Sequence, residues 1–168
     1  MKQTINIMKI TNEIYNNKIK PLFAQSVFCS VATVTDEGLP HVSPIGSIVL
    51  HNKDKGQFFE KFTKNVPKNT NKNPYATIMC VNDGKWFWLK SLISGKFKNP
   101  PAIRLVVKMG ELREGTEKEG RIFKNKVKLF KKTKGYQMMW KDMSQIREFE
   151  IIDYKPVFIG HMTRDQFK

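Results

Sequence analysis

A chain of 168 residues, 40% hydrophobic and 27% charged, has the make-up of one globular domain, and no apolar run approaches the roughly 18 residues that a membrane-spanning helix needs. Its formal net charge of +15 comes mostly from lysines spread from Lys2 to Lys168, with only Arg104, Arg113, Arg121, Arg147 and Arg164 to offer the guanidinium forks on which base readout leans. That distribution argues against a dedicated nucleic-acid binder and leaves long-range attraction of small anions as the use of the charge.

Residues 4 to 10 alternate weakly and predict a short edge strand. Lys2, Asn6, Lys9, Asn12 and Glu13 interrupt every candidate signal-peptide core, so the expected location is cytoplasmic. Thr11 offers an N-cap for a short helix carrying Ile14, Ile19 and Leu22, with Pro21 at its end. Val27 to Val34 reads as a strand buried on both faces. The turn Asp36-Glu37-Gly38-Leu39-Pro40 then leads into a second β-like run, His41 to Leu50, which pairs back against the first. Ser43, Pro44 and Gly46 interrupt that run, so a continuous strand is not expected there, and such breaks occur where a backbone meets a ligand.

A turn over residues 52 to 56 precedes a third strand, Gln57 to Phe62, with Phe59 facing the core, and the three strands make a meander. Thr63, Lys64 and Lys68 supply a hydroxyl and two ammonium groups, an inventory suited to holding a phosphate. Asn65 to Pro74 is a loop or a short helix. Tyr75 to Val81 is the next strand, followed by an Asn82-Asp83-Gly84 turn and a strand from Lys85 to Leu89 with Trp86 and Trp88 on one face. Pro100 to Glu111 is a further strand, with Ile103, Leu105 and Val107 on one side and Arg104, Val106 and Lys108 on the other.

Thr116 and Glu119 have the spacing of a capping box and open a helix whose apolar stripe, Ile122, Phe123, Val127 and Phe130, runs among lysines until Gly135. Met138, Met139, Trp140 and Met143 form a soft apolar cluster suited to a core or a subunit interface, and Arg147 to Ile159 is a last long strand. Cys29 and Cys80 lie in apolar runs without metal-binding spacing and read as small buried hydrophobes. His41, His51 and His161 have no metal-ligand spacing, and no nucleophile elbow, Walker loop or dinucleotide fingerprint is present. No metal site or catalytic residue is assigned.

The order of an Ala-Thr-Val strand, the Asp-Glu-Gly-Leu-Pro turn, His41 to Gly46, an aromatic strand ending Phe62-Thr63-Lys64, and Lys68 to Pro74 resembles the pyridoxamine 5'-phosphate oxidase-like family over about residues 10 to 110, resuming from Arg147 to Ile151 and at Lys155-Pro156. The resemblance implies a mainly β fold with flanking helices (α+β), an antiparallel split β-barrel of about six or seven strands. One domain would span residues 1–168, with a helical insertion at about 116–144 before the last strand. It further implies a homodimer with FMN at the subunit interface and an oxidoreductase acting on an unassigned small-molecule redox substrate. Ser43, Pro44, Ile45 and Gly46 would run beside the flavin ring, Phe62, Thr63 and Lys64 would meet the ribityl-phosphate, and Lys68 and Asn69 would complete the phosphate site. Trp86 and Trp88 either pack in the core or dimer or cover the flavin, and Arg104 either binds a substrate anion or forms an ion pair. The ending from Tyr154 to Arg164 departs from the vitamin B6 oxidase pattern, so that named activity is not implied. Two other readings stand beside this one: a basic module for nucleic acid or an acidic partner, and a haem-binding split barrel with a histidine ligand.

Overall fold

In the computed structural model, which describes residues 10–166, seven strands form one antiparallel sheet. They are β1 (Cys29–Val34), β2 (Pro40–Ile45), β3 (Val49–Leu50), β4 (Lys55–Phe59), β5 (Tyr75–Val81), β6 (Ala102–Glu114) and β7 (Gln145–Pro156), in the spatial order β2-β1-β5-β6-β7-β4-β3. The two edge strands, β2 and β3, are therefore consecutive in the chain, joined only by Gly46, Ser47 and Ile48. A flat sheet would hold its edges about 29 Å apart at about 4.8 Å per strand, whereas that link spans at most about 14 Å, so the sheet must roll into a barrel.

This closure corrects two sequence expectations. The run from His41 to Leu50 is two strands, and only β2 pairs with β1, from Cys29 opposite Ile45 to Val34 opposite Pro40. Ser43 and Pro44 lie inside β2, and the break falls at Gly46 to Ile48. Beyond it β3 pairs with β4, and β4 pairs with β7, so the first strands do not form a meander. Proline is tolerated at 44 because β2 is an edge strand and needs no second ladder.

The early helices bury side chains in the main core. The first runs as α1 (Asn12–Ile14), a π-helical stretch (Tyr15–Ile19) and α2 (Lys20–Gln25). Pro21 does not end it but sits in the first turn of α2, where a missing N–H costs nothing, and the wider π turn precedes it. Ile19, Leu22 and Phe23 from this helix join Val31, Ile78, Ile103, Leu105 and Phe58 in the main core. The next helix, α3 (Asn65–Lys72), settles the open reading of that segment and buries Val66 in the same core. The stretch predicted as a strand around Trp86 and Trp88 is instead α4 (Lys85–Ser94), closed by Gly95 in the left-handed region at φ 66°. Because β5 pairs directly with β6, no ladder was left for a strand there, and the Trp88 indole donates to the Asn82 carbonyl at 2.6 Å.

β1 is buried on one face only, through Cys29, Val31 and Thr33, with Ser30 and Ala32 half-covered, and Val27 and Phe28 precede it as exposed side chains. Cys29 and Cys80 are buried, as expected. The capping box at Thr116 is present, with the Glu119 amide donating to the Thr116 hydroxyl at 3.3 Å and the Thr116 amide to Glu119 at 2.8 Å. Its helix, α5 (Glu117–Lys126), stops earlier than Gly135: a 3-10 turn (Lys128–Phe130) follows, and Thr133 caps a separate α6 (Lys134–Met139). The insertion packs on the barrel through a second core of Phe59, Phe123, Val127, Tyr136 and Ile146. The predicted strand at residues 4 to 10 falls almost wholly outside the described residues. Among the described residues no helix is long and apolar enough to cross a membrane.

Candidate functional site

The three-residue link that closes the barrel also opens a cavity of about 550 Å³. Its barrel-side wall is the backbone from Pro44 to Ser47, the exposed Val27 and Phe28 ahead of β1, and Lys61, Phe62 and Thr63 just past β4. Its opposite wall is the insertion, through Phe123, Val127, Phe130, Met139, Trp140 and Met143. Gly46 is where the chain must pass closest: a β-carbon there would stand 3.1 Å from both the Phe28 ring and the Val27 carbonyl oxygen.

Most polar atoms around the cavity are already paired. The Ser47 hydroxyl accepts from the Phe59 amide at 3.0 Å and donates to the Phe59 carbonyl at 3.2 Å, and that of Ser26 donates to Leu22 and Val81 carbonyls. The exception is the Thr63 hydroxyl oxygen, buried and without a hydrogen-bond partner. A buried hydroxyl left unpaired costs roughly 1 to 3 kcal/mol, so Thr63 carries an unmet hydrogen-bonding demand beside the cavity. Lys61 is the charged residue of the lining, and its ammonium lies 5.5 Å from the centre of the Phe62 ring.

Of the residues singled out from the sequence, Pro44, Ile45, Gly46, Phe62 and Thr63 meet on this one cavity. Ser43, Lys64, Lys68 and Asn69 do not line it. Ser43 lies inside β2, its hydroxyl 3.1 Å from His41 Nε2. Lys64 is exposed at the N-cap of α3, and Lys68 is exposed one turn further on, near the acidic turn of the β1–β2 hairpin, where the Thr35 hydroxyl first and the charge of Lys68 after it hold the Glu37 carboxyl below its ordinary range. Asn69 is buried and donates from Nδ2 to the Thr33 hydroxyl at 2.9 Å, while Lys72 pairs with Asp36 at 2.9 Å. Those two contacts moor α3 to the hairpin. The hydrogen bond and charge of Lys72 hold Asp36 below its ordinary range.

The insertion's share of the wall was missed by sequence reasoning, which placed those residues in a core or a subunit interface. The only sequence signal for it was the crowding of large soft side chains, Met138 to Met143, beyond what one thin helical stripe can bury. Lys61, Val27 and Phe28 gave no signal.

No curated protein matches the chain by sequence. Among solved structures it is similar to an FMN-binding protein from Syntrophomonas wolfei subsp. wolfei, with 16% identity, 88% of this chain and 89% of the other covered, and a TM-score of 0.59. HupZ of group A Streptococcus is similar at 16% identity, 89% and 94% coverage and a TM-score of 0.56. ChuZ of Campylobacter jejuni gives 14% identity and a TM-score of 0.60, over 92% of this chain and 59% of its own. At such identities the likeness speaks for the fold alone. The sequence itself matches the family model described as pyridoxamine 5'-phosphate oxidase over residues 15–156, from the first helix to the end of β7, and the chain belongs to that family.

Proposed function

We propose that the protein binds FMN without a covalent link and acts as an oxidoreductase on a small molecule. The observation that carries this is the meeting of the Pro44–Gly46 backbone and the unpartnered Thr63 hydroxyl on one cavity. Bound FMN supplies hydride and single-electron transfer. The chain's part is to hold it: Pro44, Ile45 and Gly46 border the ring, Thr63 gives its hydroxyl, and Lys64 and Lys68 bring positive charge to the amino end of α3, whose dipole also favours an anion. Charge-assisted bonds of this kind contribute about 1.5 to 3 kcal/mol each.

The reading includes a homodimer with the cofactor at its interface. Register places Val42, Ala32, Val34, Thr77, Met79 and Val81 on the outer face of β2, β1 and β5, and Val42, Val34, Met79 and Val81 are exposed. A contiguous apolar face of this kind is a docking surface. Pro44, opposite Ser30, belongs to that face and also lines the cavity, so a second subunit seated there would border the cofactor.

The absorbance spectrum of the purified protein tests the cofactor. A bound flavin shows its two visible bands, and protein that is colourless and takes up no added FMN refutes the proposal. A Soret band on adding haem would favour the haem reading; none of His41, His51 and His161 lines the cavity.

A further inference from the structure

The helical insertion between β6 and β7 faces the cavity with six side chains, Phe123, Val127, Phe130, Met139, Trp140 and Met143, and all six are apolar at their contact surface. None of the insertion's described basic side chains is among those six: Arg121 and Lys124 line a neighbouring hollow with Glu117, which meets the cavity at Phe59 and Met143. The apolar wall is held in shape by rings. Trp140 meets Phe130 at 5.9 Å, Tyr136 at 6.2 Å and Phe123 at 6.5 Å between centroids, each edge to face, and Phe123 meets Phe59 of the barrel at 5.0 Å. The insertion thus presents a fixed aromatic and thioether surface across from the broken strand, with one cation, Lys61, on the barrel side.

We propose that this wall selects the second ligand of the site, a planar aromatic molecule bearing one anionic group, with its rings against Phe123, Trp140, Met139 and Met143 and its anion at Lys61. Aromatic faces and thioethers favour flat π systems over polyols or multiply charged groups, and a second charge pressed against the insertion would lose its water without finding a partner. The exposed Lys61 adds a modest preference for the anion, reinforced by the excess of positive charge on the chain. The assignment of barrel wall to cofactor and insertion wall to second ligand rests on the FMN reading above; the existence of an aromatic subsite does not.

Calorimetric titration with 2-naphthoate, its neutral counterpart 2-naphthalenemethanol and the doubly charged 2,6-naphthalenedicarboxylate tests it, on both flavin-free and FMN-loaded protein. We expect 2-naphthoate to bind both forms, and the dicarboxylate to bind at least about tenfold more weakly. Met139→Glu, at a side chain already 44% exposed and so tolerant of charge, should weaken both naphthalene probes by about tenfold while FMN affinity stays within about twofold. Lys61→Gln should weaken 2-naphthoate a few-fold and leave the alcohol unchanged. Absence of 2-naphthoate binding, or equal binding by wild type and Met139→Glu, overturns the proposal. Loss of FMN together with the naphthalene probes in Met139→Glu also overturns it, because the wall would then hold the cofactor itself. Naphthalene binding that responds to both substitutions in a protein that takes no FMN would instead leave the aromatic subsite standing and remove the flavin reading.

Discussion

Phe149 of β7 lies directly across Gly56 of β4 in the ladder, its ring so close over the glycine that a β-carbon there would come within 2.7 Å of Cε2 and 2.9 Å of the Val49 carbonyl oxygen. Phe149 is 2% exposed and has no room to retreat. Gly56→Ala should therefore destabilise the fold by about 1 to 3 kcal/mol, an overpacking cost measurable by denaturant melts. An unchanged midpoint would mean that the ring can move aside.

Arg147 and Glu60 form a buried ion pair, and Arg147 also donates to the Gly110 carbonyl at 3.0 Å, near the irregular register of β6 against β7. Arg147→Met strands a buried carboxylate and should cost about 3 to 5 kcal/mol. Adding Glu60→Gln should recover part of that loss. If the double variant is less stable than Arg147→Met alone, the carboxylate has a role apart from the arginine.

The lysine and asparagine variants around α3 should separate into two classes. Lys64→Ala and Lys68→Ala should lower FMN retention with little change in melting, because both side chains are exposed. Asn69→Ala should cost about 1 to 2 kcal/mol of stability through the lost bond to Thr33, with flavin loss only as a consequence. Flavin affinity and thermal midpoint measured on the same samples distinguish the classes.

The insertion should be acid-sensitive. The hydrogen bonds of Arg113 hold the Glu119 carboxyl down to about 2 from its ordinary 4.5, helped by the capping-box bonds from Thr116. A depressed carboxyl contributes stability that is complete above the unfolded value, so the contribution is lost as pH falls from about 4.5 towards 2. Trp140 emission, read in a Trp86→Phe, Trp88→Phe background, should change over that range, and Arg113→Met should remove the step.

Val42→Glu, on the exposed outer face of β2, should convert the proposed dimer to a monomer in light-scattering measurements and lower FMN retention with it. A variant that stays dimeric would place the interface elsewhere.

Patterns of period two and the turn chemistry made β1, β2, β5, β6 and β7 legible, as the Thr116 and Glu119 spacing did for the start of α5. What failed was decided by pairing partners distant in sequence. Whether Lys85 to Leu89 is strand or helix depends on β6 already occupying the edge of β5, although Gly95 and the spacing of Trp86, Leu89 and Ile93 were local signs of a helix. At the site, the residues adjoining the break were readable because a chain interruption is a local event. The far wall was not, since Phe123 and Trp140 reach the cavity only once β6 and β7 have been zipped together, from Ile103 opposite Pro156 to Glu114 opposite Gln145.

The joining of the two sheet edges by three residues has a consequence for how the chain is made. The β3–β4 hairpin emerges early in synthesis, but its only other neighbour in the sheet is β7, near the carboxyl end. Until residue 150 has left the ribosome, β4 waits with one row of backbone groups open, and ring closure is a late, highly non-local step. The charged residues that flank the hairpin, Lys53, Asp54, Lys55, Glu60 and Lys61, would guard that waiting edge against pairing with a neighbouring nascent chain.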